Sequence, residues 1–384
     1  MKLVEYLELK RRVREKLSTL IPESRLKVVQ RDPHTRRKPI GCGLTVHVGY
    51  GCTNRCLYCY IQDMGFSFKG VKPSPLSGLE LAYALTLNPY FIPGKLGTFL
   101  AIGSITEPFH RVNVNVTLEF MRYVRLYLGN PLQFSTKMYL DIDLARKIRD
   151  FAGSNISPLV TVVTIRFSEK LEPNAPPPQL RFESIENLRR VGLKPQLFMR
   201  PVIPGITDIE AKDIVAEAKT RGVVGVVIGG FRVTKRIISR LRSVGLNVDY
   251  ILAYTPKTPT GSEQIPLNIT DIRRGIVENV KEYGVILHFH ACCACAFTHS
   301  VPCWNLCWIR NGCTKCPNQC WIKQPSIDES SVCDLLEYMD VKFKDISVTT
   351  DRITVHVRGK VYPRELPIIL STLTRRTTSI VTEK

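Results

Sequence analysis

Between Leu44 and about residue 245 the chain alternates short apolar, β-branched runs with amphipathic stretches of helical period, six times over. The predicted strands are 44–49, 97–102, 132–135, 159–164, 195–200 and 223–228. The predicted helices are 78–88, 113–128, 141–152, 180–191, 208–221 and 234–244. Repeated units of this kind demand a parallel α/β sheet with helices outside it. Right-handed crossovers leave two forms, an open doubly wound sheet or a curved partial barrel. Phe182, Ile185, Leu188 and Val191 form the buried stripe of the fourth helix. Thr207-Asp208-Ile209-Glu210 reads as a capping box that starts the fifth, and Gly192 and Gly222 end the fourth and fifth. A further helix near 271–283 and a strand at Val285–His290 follow.

The flanks differ in character. Residues 1–40 read as a basic helix and linker, and 41–290 as the barrel. Residues 291–333 hold nine of the 13 cysteines in an aromatic, aliphatic-poor stretch. Such a segment cannot bury a core of its own and needs a staple. Residues 334–384 read as a small β-β-α tail, two strands and then a helix beginning near Pro363. No apolar run is long enough to span a bilayer, and residues 1–17 lack an apolar signal core. The expected location is therefore the cytoplasm, with no membrane partner. Thiols stay reduced there, so the cysteines are read as metal ligands rather than disulfides. Lys and Arg number 54 against 34 Asp and Glu, a net charge of +20. That surplus suits an anionic partner, nucleic acid first among them, although basic proteins without such a partner also exist.

The most chemically specific stretch follows the first strand. Cys52-Thr53-Asn54-Arg55-Cys56-Leu57-Tyr58-Cys59 is a C-x3-C-x2-C loop. Thiolates are soft donors, and three at this spacing can ligate three irons of a cubane from one compact loop. The missing fourth cysteine leaves one iron open to a substrate. Cys42 lies before the strand and is expected at the opposite end of the sheet. The competing readings are a zinc site completed by His47 or by a remote cysteine, or a chance grouping.

The loop and the six units together resemble the radical S-adenosylmethionine superfamily. The resemblance implies a partial (β/α)6 TIM-type barrel, here with the C-terminal cysteine-rich metal-binding extension and the β-β-α tail. It implies a [4Fe–4S] cluster on Cys52, Cys56 and Cys59, and S-adenosylmethionine cleaved reductively at the open iron to a 5′-deoxyadenosyl radical. A reductant such as a ferredoxin or flavodoxin is implied as partner. Further segments are similar to the spore-photoproduct-lyase-like, or DNA repair photolyase-like, branch. They are Ile105-Thr106-Glu107-Pro108-Phe109, Phe134-Ser135-Thr136-Lys137, Leu171 to Pro176 running on to Arg181-Phe182, and Arg200 to Asp208. On that resemblance the S-adenosylmethionine site would take in Tyr58, Ser104, Thr106, Lys137, Thr164 and Gly205. The hydroxyls near Ser104 and Thr106 suit the methionyl amino group, Lys137 the methionyl carboxylate, Thr164 that carboxylate or the ribose, and Gly205 a close approach to adenine. Lys137 is otherwise a solvated lysine, and Glu172 with Arg181 either a structural ion pair or a ligand pair. Lyases of the branch return a hydrogen atom from a cysteine near the second-strand motif. Ser104 and Ile105 stand there instead, so the substrate is left open.

In the tail, Cys303, Cys307, Cys313, Cys316 and Cys320 recur at C-x3-C and C-x2-C spacings. They suit a second [4Fe–4S] cluster or a zinc. Three functions compete: a radical enzyme acting on nucleic acid, one modifying a peptide or small metabolite with an auxiliary cluster, and a non-enzymatic, zinc-stapled nucleic-acid-binding protein. The oligomeric state and the catalytic residues are not legible.

Overall fold

The computed structural model describes residues 2–313, 316–359 and 362–382. Seven strands form one parallel sheet in sequence order: β1 (Leu44–Val46), β2 (Leu100–Ile102), β3 (Leu132–Thr136), β4 (Ser157–Thr161), β5 (Gln196–Met199), β6 (Gly225–Ile228) and β7 (Ile286–His288). The sheet is a TIM-type partial barrel with one strand more than the six expected. The added strand is the one foreseen at Val285–His290, which pairs with β6 in parallel register, His288 opposite Val227. Helices at Gly78–Leu87, Val114–Tyr123, Ile142–Ala152, Pro178–Arg190, Thr207–Thr220, Lys235–Ser243 and Thr270–Val280 match the expected ones to within a few residues. The longest shortfall is at Val114–Tyr123, whose last expected turn winds as a π-helix, Val124–Leu128.

Alternation decides what each face of the sheet meets. Val160, Leu197 and Val226 belong to the main core shared with the outer helices. Leu159, Phe198 and Val227 point the other way and pack on Ala291 and Ala294. The helix Ala291–His299 therefore covers part of the inner face of the barrel.

The capping box at Thr207 does not form. Thr207 lies inside the helix, and its hydroxyl accepts from the Ile203 N–H at 3.0 Å. Glu210 is buried, and its carboxylate instead accepts from the Thr164 hydroxyl (2.9 Å) and the N–H groups of Ile165 (2.6 Å) and Arg166 (3.1 Å). Three donors after β4 outbid one N-terminal N–H for the same carboxylate. Gly192 and Gly222 do end their helices, each at φ +82°.

The flanks are built into the body. Residues 1–40 form helices Leu3–Ser18 and Glu23–Arg31. Val13 and Leu17 of the first join the barrel core, and Leu3 and Tyr6 join the core of the C-terminal unit. That unit has helix Glu329–Tyr338, strands β8 (Phe343–Val348) and β9 (Arg352–Val357), helix Leu366–Thr374 and strand β10 (Thr377–Thr382). It is thus a three-stranded sheet with two helices, larger than the β-β-α tail expected. No helix among the described residues is long and apolar enough to cross a membrane.

Candidate functional site

The cysteine loop leaves the C-terminal end of β1, at the mouth where parallel barrels place reactive groups. Gly51 pairs with Thr106 beyond β2, and its φ is +82°. A Cβ there would sit 2.5 Å from the Gly70 carbonyl oxygen, so only glycine fits. The segment after β4 holds the loop from the other side. Leu57 N–H donates to Leu171 O (2.8 Å), and the Asn174 side chain donates to Thr53 O (2.9 Å). Arg240, from the helix after β6, donates to Cys59 O at 3.3 Å. Leu171 to Asn174, read from sequence as a resemblance, thus acts as a clamp on the loop.

Glu172 runs from this clamp into a buried charged group. It accepts from the Tyr58 hydroxyl, and Arg181 Nη1 meets its Oε2 at 2.5 Å, out of line for a hydrogen bond. Arg181 is wholly buried and donates to Pro176 O (2.7 Å) and Thr161 O (3.2 Å). Lys137 Nζ stands 4.0 Å from Glu172 Oε1 and 5.4 Å from the centre of the Tyr58 ring. Its side chain is 16% exposed, so it is not a solvated lysine. Burial pulls its ammonium down, but its place beside Cys56 and Glu172 outweighs that and raises it. Burial, then Glu172, holds the Tyr58 phenol well above its usual range. Glu107 accepts from the Thr136 hydroxyl and the Lys137 N–H (3.0 Å), and burial still raises its carboxyl.

The three loop thiols share this surrounding. Burial pushes Cys52 up to about 12 and raises Cys56 and Cys59 as well. Without metal they are neutral, and ligation must displace their protons. Thiolates on one tetrahedral ion lie about 3.8 Å apart, given metal–sulfur bonds of about 2.3 Å. The loop trio is not among the thiols that lie within 4.8 Å of one another, and at C-x3-C-x2-C spacing each thiol can take a separate iron. The fourth ligands considered from sequence are engaged elsewhere. Both ring nitrogens of His47 lie within 3.2 Å of Arg37 Nη1, and Cys42 packs with the tail cysteines.

The remaining residues named from sequence divide. Ser104 is exposed at the mouth, while Thr106 is buried and accepts from Asn113 (2.9 Å). Gly205 has φ +78° and faces the Tyr250 ring. Thr164 is wholly buried, with its hydroxyl committed to Glu210 and to the Phe167 N–H (3.0 Å). In the tail, Cys303 meets Cys292, its sulfur 3.6 Å away, and Cys307 approaches Cys293 and Cys303. Cys313 faces Cys316, and the intervening Thr314 and Lys315 lie outside the described residues. Cys320 accepts from the Cys303 N–H (3.3 Å). Cys292 and Cys293 were missing from the tail set read from sequence, although their adjacency to His288 and His290 was the available signal. Cys333 packs in the C-terminal core instead.

No family model matches the chain. Over 180 residues it is 23% identical to the uncharacterized protein ORF301 of Acidianus two-tailed virus, a match covering 44% of this chain and 58% of that protein. The chain thus spans less than two thirds of that relative's length. Among solved structures it is similar to spore photoproduct lyase complexed with dinucleoside spore photoproduct, with TM-score 0.52, 14% identity, and 63% of this chain and 75% of that one covered. A double mutant of the lyase with bound AdoMet (S-adenosylmethionine) and dinucleoside spore photoproduct gives TM-score 0.54 and 13% identity, covering 75% of this chain and 96% of that one. The fold is that of spore photoproduct lyase. On this lyase fold the cysteine loop, Lys137 and the Leu171–Asn174 clamp all gather at one end of the barrel.

Proposed function

We propose that the chain is a radical S-adenosylmethionine enzyme acting on a nucleic acid. The observation that carries the reading is the three-thiol loop at the barrel mouth, set beside the buried group of Lys137, Glu172 and Arg181. Bound there, a [4Fe–4S] cluster with S-adenosylmethionine would supply one-electron reductive cleavage of the sulfonium. Cys52, Cys56 and Cys59 would hold the cluster. Lys137 is oriented by Glu172 and Tyr58, and its ammonium has no hydrogen-bond acceptor among the described residues. It would bind the methionyl carboxylate, while Ser104 offers a hydroxyl at the same mouth. Thr164 would support this site through Glu210 rather than touch the cofactor.

Two features favour a nucleic acid. The lyase structures hold a dinucleoside photoproduct. Arg11, Arg12, Arg14, Lys16, Arg31, Arg36 and Lys38 are exposed, whereas Lys10 turns inward to the Asn88 carbonyl (2.6 Å). Cationic side chains free of partners are what phosphate binding needs. Anaerobic reconstitution followed by iron and sulfide counting and EPR tests the cluster, with about four irons expected at the loop. A reduced sample whose EPR signal is unchanged by S-adenosylmethionine would count against the open iron.

A further inference from the structure

The tail cysteines meet differently from those of the loop. Among the described residues, Cys292, Cys293 and Cys303 are the one group whose ligand atoms all lie within 4.8 Å of one another. The 3.6 Å between the Cys292 and Cys303 sulfurs is close to the edge of a thiolate tetrahedron around one ion, about 3.8 Å. The Cys307 thiol lies outside that group but approaches those of Cys293 and Cys303 from the next turn of chain, where a small movement would bring it onto the same ion. That turn is unusual. Leu306 is buried and held at φ +52°, a region an L-leucine enters only when its surroundings enforce it. The turn delivers Cys303 and Cys307 to the same side.

A second observation concerns the charge beside these sulfurs. Arg375, just past helix Leu366–Thr374, is wholly buried. Its guanidinium lies 5.3 Å from the ring centres of both Phe99 and Trp304. It donates to Thr372 O (2.6 Å) and Gly97 O (3.2 Å), and its Nε has no partner. No carboxylate faces it among the described residues, and the acidic groups around it are the thiols of Cys303, Cys320 and Cys295 with the Tyr6 phenol. A buried cation without a counter-charge costs several kcal/mol. A tetrathiolate zinc carries two net negative charges and would balance it.

We infer that Cys292, Cys293, Cys303 and Cys307 hold a single tetrahedral zinc ion, with Arg375 as its buried counter-charge. This site is separate from the loop and does not rest on the radical chemistry proposed there. Four thiolates close the coordination sphere, so the ion is structural. It ties the helix on the inner face of the barrel to the Cys303–Cys307 turn, and through Arg375 to the C-terminal sheet. Cys42 touches the same group through Cys292, which brings the chain before β1 against the chain after β7. A second cubane would need its sulfurs further apart.

The full-length protein, purified anaerobically, is measured for zinc and iron and by X-ray absorption at the zinc edge. About one zinc per chain is expected, with four sulfurs at about 2.3 Å. Absence of zinc, one iron in its place, about eight irons per chain, or nitrogen and oxygen in the zinc shell would each overturn the inference. The Cys292→Ser/Cys303→Ser variant should lose the zinc and keep the loop iron. Arg375→Met keeps all four thiols and should yield zinc to a competing chelator at least ten times more readily, with Arg375→Lys recovering part of the loss. Chelation unchanged in Arg375→Met would remove the counter-charge. Zinc present without loop iron would defeat the proposed activity and leave this inference standing.

Discussion

Replacing Lys137 by Met removes an ammonium and keeps most of the side-chain volume, so the perturbation is electrostatic. At 4.0 Å, Lys137 and Glu172 attract with about 4 kcal/mol at an effective dielectric of about 20. That attraction holds the ammonium in place, and its N–H groups make no hydrogen bond among the described residues. A carboxylate arriving at the mouth would gain a charged hydrogen bond, of the order of 1.5–3 kcal/mol. Lys137→Met should therefore weaken S-adenosylmethionine binding about 10- to 150-fold, measured by isothermal titration on the anaerobic protein. Iron content should stay at the wild-type level, because lysine is not a ligand. An isotherm identical to that of the wild type would refute the reasoning and leave Lys137 as a partner of Glu172 alone.

Arg181→Leu leaves the buried Glu172 carboxylate with only Lys137 at 4.0 Å and the Tyr58 hydroxyl, and should destabilise the protein by up to about 3–5 kcal/mol, whereas Arg181→Leu/Glu172→Gln should recover much of it in thermal unfolding. Desolvation lowers the buried His288 to about 4 and the half-buried His47 and His299 to about 3 and 4, below the usual 6.5. The unfolded chain then binds up to three more protons between about pH 6.5 and 4, so stability should be full above pH 6.5 and fall by up to about 4 kcal/mol per pH unit below it. A His288→Gln/His299→Gln variant should flatten that fall. If nucleic acid is the partner, affinity for single-stranded DNA should drop steeply with salt, and Arg11→Ala/Arg12→Ala/Arg14→Ala should make the slope shallower.

Much of the barrel was legible because each strand is a short β-branched run and each outer helix carries one apolar stripe. What failed did so where a residue answers to a distant partner. Glu210 has the spacing of a capping residue, but the unpaired N–H groups after β4 claim it. Helix Ala291–His299 shows no helical stripe, since Ala291, Cys292, Ala294, Cys295 and Ala296 are buried on several sides. Strand β10 is a β-branched run at the chain end, and nothing local reveals that it pairs with β9 in parallel across a helix. At the site, the cysteine loop was plain from spacing, while the grouping of Cys292 and Cys293 with Cys303 depends on tertiary approach. Thr164 was legible as a residue near the end of β4, but its commitment to Glu210 was not.

The most direct test of the central claim is 5′-deoxyadenosine formation from S-adenosylmethionine by the reconstituted, dithionite-reduced protein. The wild type should form it, and the Cys52→Ala/Cys56→Ala/Cys59→Ala variant, short of about four irons, should form none. A wild type that carries its full iron and forms none, or a triple variant that forms as much as the wild type, would contradict the account.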